Sequence, residues 1–132
     1  ALDAALALVG EQGIRALTHS RVDERAGLPK GSTSNWFRTR DALIAGVVTH
    51  LAERERADFA AAPLPPIETP EQLTDALTSM VAVETGPFAT RTRARFALFL
   101  EGAADPEVLA PLLEQRRTYV RWMVELLAQV GA

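Results

Sequence analysis

The chain has 132 residues, of which 48% are hydrophobic and 23% charged, and its formal net charge is −3. This is the composition of a globular protein, and the chain is long enough to bury a core without disulfides. It has no cysteine and two histidines, which excludes a disulfide framework, a thiol nucleophile and a multi-histidine metal centre. No apolar run approaches the ~20 residues that span a membrane, and no signal-peptide pattern opens the chain. We therefore expect a cytoplasmic protein without a membrane partner.

The first part of the chain predicts short helices. Apolar residues recur at helical spacing over Leu2–Val9, and Gly13 ends that helix. Thr18 caps a second helix, which ends near Gly27 because a glycine there can take the positive φ of a tight corner. Pro29 suits the first position of a helix, so the third helix is predicted from Pro29 to about Phe37. Four apolar residues have the spacing to pack this corner on the first helix: Val22, Ala26, Leu28 and Trp36.

Longer helices are predicted in the rest of the chain. Thr39 caps the fourth helix, and Asp41 lies in its first turn, where a carboxylate favours the positive helix end. A stiff proline-rich linker over residues 62–66 follows, and Thr69 with Gln72 then forms a capping box. The later helices are predicted from Thr69 to about Thr85, from about Phe88 to Gly102 and from Asp105 to about Val130. Seven or eight helices without a sheet predict an all-α fold.

Charge is distributed unevenly along the chain. Residues 15–40 carry six basic side chains and two acidic ones, a local charge of +4, whereas residues 57–132 carry six arginines and ten acids. A basic block on an acidic body indicates an anionic partner for one end of the molecule. The alternative is a solvated surface of mixed charge.

Residues 18–37 have the pattern of a helix, a glycine turn and a second helix. Small or polar donors crowd the start of the second helix, and arginines follow it: Lys30, Ser32, Thr33, Ser34, Asn35, Arg38 and Arg40. A helix N-terminus in a major groove can bring short side chains to base edges, and arginines suit phosphates. The pattern favours DNA binding, and the alternative is an ordinary corner of two helices with a solvated face.

Gly13 and Thr18, followed by RAGLPKGSTSNWFRTRDAL over residues 25–43, resemble the N-terminal signature of the tetracycline-repressor (TetR) family of transcription factors. The resemblance implies a three-helix helix-turn-helix DNA-binding domain over residues 1–45. A helical effector-binding and dimerisation domain over residues 46–132 would follow, with its final helix missing. Residues 29–37 would be the recognition helix, the donors named above would face DNA, and Arg40 would contact the DNA backbone. The implied partners are an operator duplex, a small-molecule effector and a second copy of the chain, with no cofactor.

The helix-turn-helix departs from the family pattern at four positions. Ser34 stands where the family usually has tyrosine, so a tyrosine contact to phosphate is missing or shifted. Thr33 and His19 replace aliphatic residues, and Asp23 replaces alanine. His19 and Asp23 are four apart on one helix. They therefore either pair on a partly buried face or both tilt to solvent.

The C-terminal half contains aromatic and apolar residues at helical spacing around one arginine. An apolar pocket between helices with few polar anchors is the usual small-molecule site. The candidate effector-pocket residues are Met80, Phe88, Arg95, Phe96, Phe99 and Trp122. Arg95 could hold an anionic effector group. The alternatives are that it pairs with a carboxylate, for example Glu84 or Glu125, with its stem on the core, and that most of the aromatic face is core.

From Tyr119 to Val130 the last helix is apolar nearly all round, and a helix with two apolar faces is buried on both. The second face indicates a missing final helix or a partner chain. The family resemblance implies both, as eighth and ninth helices that form a four-helix dimer interface. The candidate interface residues are Val120, Met123, Val124 and Leu127.

The sequence contains no nucleophile–base pair, paired-carboxylate motif or phosphate loop, so we predict no enzyme, catalytic residue or metal site. The predicted function is DNA-binding transcriptional regulation, with a repressor released from its operator when an effector shifts the dimer population. The alternative is a helical adaptor or small-molecule-binding protein with a vestigial helix-turn-helix.

Overall fold

A computed structural model describes residues 1–62, 64–101 and 105–131, and its regular structure there is helical throughout. Seven α-helices occur in these ranges: α1 Leu2–Gln12, α2 His19–Ala26, α3 Ser32–Trp36, α4 Arg40–Ala61, α5 Pro70–Thr85, α6 Ala89–Glu101 and α7 Pro106–Gln129. A 3₁₀ turn, Ile14–Ala16, links α1 to α2. The predicted all-α fold class is confirmed. Pro63 of the predicted linker and Gly102 at the predicted end of α6 lie outside the described residues.

Capping side chains begin the helices where the sequence predicts them. Thr18 and Thr39 each accept the backbone N–H three residues ahead, at 3.2 and 3.0 Å. Thr69 and Gln72 form the reciprocal capping box of α5, and Asp105 accepts the N–H of Glu107 at the start of α7. These caps satisfy N–H groups that the first turn of a helix otherwise leaves without partners.

The third helix is shorter than predicted. It begins at Ser32 instead of Pro29, because Gly31 has φ +93° and so interrupts the helical path. Gly27 adopts φ +66°, which confirms the predicted left-handed corner after α2. Lys30 consequently lies in the turn between α2 and α3 and not in the recognition helix.

One apolar core joins the N-terminal helices to α4, α6 and α7. Its buried residues include Val9, Leu17, Val22, Leu43, Val47, Leu51, Leu98 and Leu112. A smaller cluster links α5 to the end of α7 through Leu73, Leu126 and Val130. The domain boundary after residue 45 falls inside α4, on the main core, and stays a prediction.

Helix α1 packs closely against α6 at Gly10. A Cβ atom at this buried position would run into the backbone carbonyl of Thr90 and lie 2.7 Å from its Cγ2 atom. Alanine in place of glycine stabilises an exposed helix by about 1 kcal/mol. Here we expect the clash to dominate, so that Gly10→Ala lowers the free energy of unfolding by about 1–3 kcal/mol in urea titrations. The exposed Gln12→Ala on the same helix is the control, and a more stable Gly10→Ala would contradict the close packing.

Candidate nucleic-acid interface

Helix α3 lies at the surface, and most of the predicted DNA-facing side chains surround it in exposed positions. Five are exposed and Ser32 is half-buried; the exposed ones are Lys30, Ser34, Asn35, Arg38 and Arg40. Lys30 precedes α3 and Arg38 follows it, so basic groups flank both ends of its polar face. Such a helix can enter a major groove, with its short side chains toward base edges.

Thr33 differs from the prediction because it is fully buried. Its hydroxyl donates to Oδ1 of Asp23 at 2.5 Å, and its backbone N–H donates to the same oxygen at 2.8 Å. Burial and these two hydrogen bonds turn Thr33 away from DNA, so the structure corrects its assignment to a base edge.

Trp36 also differs from the prediction, which placed it against the first helix. Its side chain is 65% exposed at the end of α3. The next residue, Phe37, packs on the core instead, and its ring leaves no room for a Cβ atom at Gly46. Two adjacent aromatic residues at the end of a short helix cannot both point inward. That signal in the sequence indicates that one of the two rings is exposed, and the structure shows that it is Trp36.

Two arginines of the basic block have partners within the chain. Arg40 donates to the backbone carbonyl of Ile14 at 2.8 Å, which ties the start of α4 to the 3₁₀ turn. Arg25 forms a two-pronged ion pair with Glu11 at 2.6 and 2.8 Å. The hydrogen bond from Arg25 holds the pKa of Glu11 below its ordinary value. Arg40 keeps further N–H groups for a phosphate, whereas Arg25 is neutralised.

Helix α2 holds both ends of α3. Asp23 is 4% exposed and accepts the N–H of Gly31 through Oδ2 at 2.9 Å, in addition to the two Thr33 donors. The Thr33 hydroxyl, supported by the backbone N–H groups, holds the pKa of Asp23 below its ordinary value against the opposing effect of burial. His19 Nε2 lies 2.6 Å from the carbonyl oxygen of Phe37, to which it donates. His19 and Asp23 thus neither bind each other nor both tilt to solvent, because each binds α3.

The predicted polar anchor of the effector pocket is already paired. Arg95 of α6 donates to Glu55 of α4 at 2.7 Å, and its guanidinium lies 5.0 Å from the centre of the Phe99 ring. The predicted alternative that Arg95 pairs with a carboxylate is confirmed, but the partner is Glu55 and not Glu84 or Glu125. Burial raises the pKa of Glu55, and the charge of Arg95 opposes that rise.

The remaining pocket candidates are dispersed. Phe96 is 63% exposed, and Met80 and Phe88 are half-buried, with the guanidinium of Arg91 3.8 Å above the Phe88 ring. Trp122 belongs to the smaller apolar cluster and contacts Phe59 edge to face, at 5.7 Å between ring centres. Of the six candidates, Trp122 lines a groove of about 280 Å³ with Phe59, Leu64, Pro65, Ile67, Leu126 and Gln129. The predicted effector pocket stays a prediction.

Three of the four predicted interface residues form an exposed stripe on α7. Val120, Val124 and Leu127 are 50%, 59% and 39% exposed and lie at helical spacing on one face. Met123 instead packs inward on the smaller cluster.

The described residues contain no group of three or more histidine or acidic side chains placed to hold a metal ion. None of the helices in the same part of the chain is long and apolar enough to cross a membrane.

Known proteins resemble the chain over both halves. The family model for bacterial regulatory proteins of the tetR family matches residues 1–47, and the tetracyclin repressor-like C-terminal domain model matches residues 68–132. The HTH-type transcriptional regulator BetI of Rhizobium meliloti (strain 1021) is 30% identical over 112 residues, which make up 85% of this chain and 54% of BetI. The chain therefore spans about half the length of this curated relative.

A solved structure has the same fold. The multidrug binding protein EbrR, in its complex with ethidium, matches 98% of this chain and 72% of its own with a TM-score of 0.64 and 28% identity. The first family model covers α1 to α3 and the start of α4, and the second covers α5 to α7. These matches confirm the resemblance found in the sequence: the chain belongs to the TetR family of bacterial regulatory proteins.

Proposed function

We propose that the protein is a DNA-binding transcriptional regulator whose affinity for its operator responds to a small-molecule effector. The observation that supports this most directly is the exposed face of α3, which presents Ser34, Asn35 and Trp36 between the basic groups of Lys30 and Arg38. We assign this activity to the cytoplasm, where the DNA partner is found, and it requires no catalytic step or cofactor.

The side chains suit different parts of a DNA duplex. An asparagine amide can bind an adenine edge through two hydrogen bonds, and a serine hydroxyl can both donate and accept. Lys30, Arg38 and the free N–H groups of Arg40 suit phosphates, which orient the helix without reading sequence. Trp36 adds a flat apolar surface for a sugar or a thymine methyl group.

A homodimer would give this interface its symmetry. We propose that residues 1–45 bind DNA and that residues 46–132 bind effector and form the dimer, through the exposed stripe Val120, Val124 and Leu127. Two copies related by a two-fold axis can place their α3 helices in successive major grooves. Each copy alone presents a helix of only five residues, so two linked half-sites would supply most of the affinity.

The groove beside Trp122 is the better candidate for the effector, because Arg95 already pairs with Glu55. Phe59 lines this groove from the last turn of α4, the helix that begins directly after α3. A molecule that binds the groove more tightly in one orientation of α4 than in another would shift the population of DNA-binding geometries. Its aromatic and aliphatic lining suits a flat apolar molecule.

Titration with a DNA duplex at several salt concentrations tests the function. We expect the protein to bind the region upstream of its own gene more tightly than a scrambled duplex, with a steep loss of affinity as salt rises. Arg38→Ala should weaken binding to all duplexes equally and reduce the salt slope by about one contact, since a phosphate contact carries no sequence information.

The matched control is Arg116→Ala, which removes the same charge from an exposed position on α7. It should leave the salt slope unchanged. A flat salt response of the unmodified protein, or equal affinity for the scrambled duplex, would argue against an operator-binding regulator.

A further inference from the structure

We propose that His19 and Asp23 form a clamp on α2 that positions the recognition helix for DNA, by binding one end of α3 each. This inference rests on the proposed DNA-binding function, and it assigns a role to the residues that depart from the family pattern. Asp23 and His19 are positioning residues, because they act through α3 and lie behind the surface that would meet DNA.

Helix α3 needs support that its own sequence does not provide. It has five residues, and a helix this short is not stable by itself. Its N-cap is Gly31, which has no side chain to accept the free N–H groups of the first turn. Those N–H groups must therefore find their acceptor elsewhere.

Asp23 supplies that acceptor from the neighbouring helix. One carboxylate binds the N–H of Gly31 at 2.9 Å, the N–H of Thr33 at 2.8 Å and the Thr33 hydroxyl at 2.5 Å. It also sets a negative charge at the positive end of α3, which the helix dipole favours. Because Asp23 and Thr33 are both buried, a shift of α3 against α2 would leave the carboxylate without partners in an apolar setting, which is costly.

His19 completes the clamp at the other end. It lies one helical turn before Asp23, and its Nε2–H donates to the carbonyl of Phe37, the C-cap residue of α3, at 2.6 Å. A carbonyl oxygen only accepts, so Nε2 carries the proton in this contact. With both ends fixed to one helix, α3 is ordered before DNA arrives, and less ordering entropy is lost on binding.

Removing the charge of Asp23 would change DNA affinity in opposite directions, depending on whether Asp23 acts only as a charge or as part of the clamp. Asp23 places a negative charge behind a surface that would face phosphates. If it acted only as a charge, its neutral isostere would bind DNA more tightly. If it positions α3, the same variant would bind more weakly.

Asp23→Asn tests the clamp in the full chain. Amide hydrogen exchange should become faster at Gly31 and Thr33, because an amide in place of the carboxylate cannot accept all three donors. Operator affinity should fall about tenfold, the effect of losing one good hydrogen bond to a charged group, while the salt slope stays the same. The matched control is Glu24→Gln, which removes the same charge from the next, exposed residue of α2 and should not weaken binding.

A second pair of variants tests the contact of His19 with the C-terminal end of α3, and its outcome does not depend on the result for Asp23→Asn. His19→Gln keeps a side-chain donor and should retain operator affinity. His19→Leu installs the aliphatic residue usual in the family and removes the donor, and it should speed exchange in α3 and weaken binding.

Any one of three results would overturn the proposal. The first is unchanged amide exchange at Gly31 and Thr33 in folded Asp23→Asn, and the second is operator binding by Asp23→Asn as tight as that by Glu24→Gln. The third is that His19→Gln and His19→Leu have the same amide exchange in α3 and the same operator affinity. If the unmodified protein bound no DNA, the proposed function would fail. The exchange measurements would still decide whether the clamp orders α3.

Discussion

Replacing Arg95 with alanine should lower the free energy of unfolding by about 2–4 kcal/mol at neutral pH. Arg95 and Glu55 join α6 to α4 at 2.7 Å, and their side chains are only 24% and 16% exposed. A second ion pair, Arg91 with Asp58, joins the same two helices. Removing Arg95 leaves the Glu55 carboxylate largely buried without its nearest positive charge, and chemical unfolding measures the cost.

The stability that Arg95→Ala loses should depend on pH in a defined direction. Burial raises the pKa of Glu55, Glu84 and Asp58 raise it further, and Arg95 and Arg91 oppose the rise. A carboxyl whose folded pKa exceeds its unfolded pKa binds its proton more tightly in the folded state, so stability falls as pH rises through the folded pKa. Without Arg95 this pKa rises further. Arg95→Ala should therefore regain part of its lost stability as the pH is lowered from about 7 to about 5.

Glu55→Gln provides the control. The double variant with Arg95→Ala no longer has the unpaired Glu55 carboxylate. It should therefore be more stable than Arg95→Ala alone at pH about 7 and should lose the added pH dependence. A deficit in Arg95→Ala that is the same at both pH values, and that Glu55→Gln does not reduce, would show that the ion pair does not hold α4 to α6.

The start of a helix could be predicted from the sequence where a capping side chain and the N–H group that it accepts lie close together in the chain. Thr18, Thr39 and Thr69 each accept an N–H group three residues ahead, so the cap and its target lie in the same short stretch of chain. Reading such a stretch requires no knowledge of tertiary packing.

For helix α3, prediction from the local sequence was wrong about where the helix begins and which aromatic side chain is buried. The preference of Pro29 for a first helical position predicts an early start, but the left-handed conformation of Gly31 delays the helix to Ser32. Phe37 packs on the core and Trp36 is exposed. Which of the two side chains points inward depends on how so short a helix is rotated about its axis, and tertiary packing sets that rotation.

Each position that departs from the family pattern could be recognised in the sequence, but the contacts that join Asp23 to Thr33 and His19 to Phe37 could not. Asp23 replaces alanine and Thr33 replaces an aliphatic residue, and each substitution alone buries a polar group in an apolar setting. Together they form a hydrogen-bonded pair across ten residues of chain, and His19 reaches Phe37 across eighteen. Arg95 and Glu55 are forty residues apart, a pairing that helical periodicity does not encode.

Val124→Glu should convert the proposed homodimer to a monomer in sedimentation experiments at micromolar concentration. Val124 is the most exposed residue of the stripe that also contains Val120 and Leu127. A two-fold interface presents the same patch from both copies, so one substitution introduces two carboxylates into the contact. An unpaired charge in an apolar contact is strongly disfavoured, whereas the same glutamate is well solvated in the monomer.

The monomer should keep its helix content, because Val124 faces solvent and not the core of its own chain, and operator affinity should fall once the two half-sites are no longer linked. Thr118→Glu is the matched control, since it adds the same charge to α7 at an exposed position off the stripe. If Val124→Glu sediments as an unchanged dimer, the α7 stripe is not the interface. The exposed apolar residues of α6, Phe96 at 63% and Leu100 at 79%, would then be the next surface to test with the same charge.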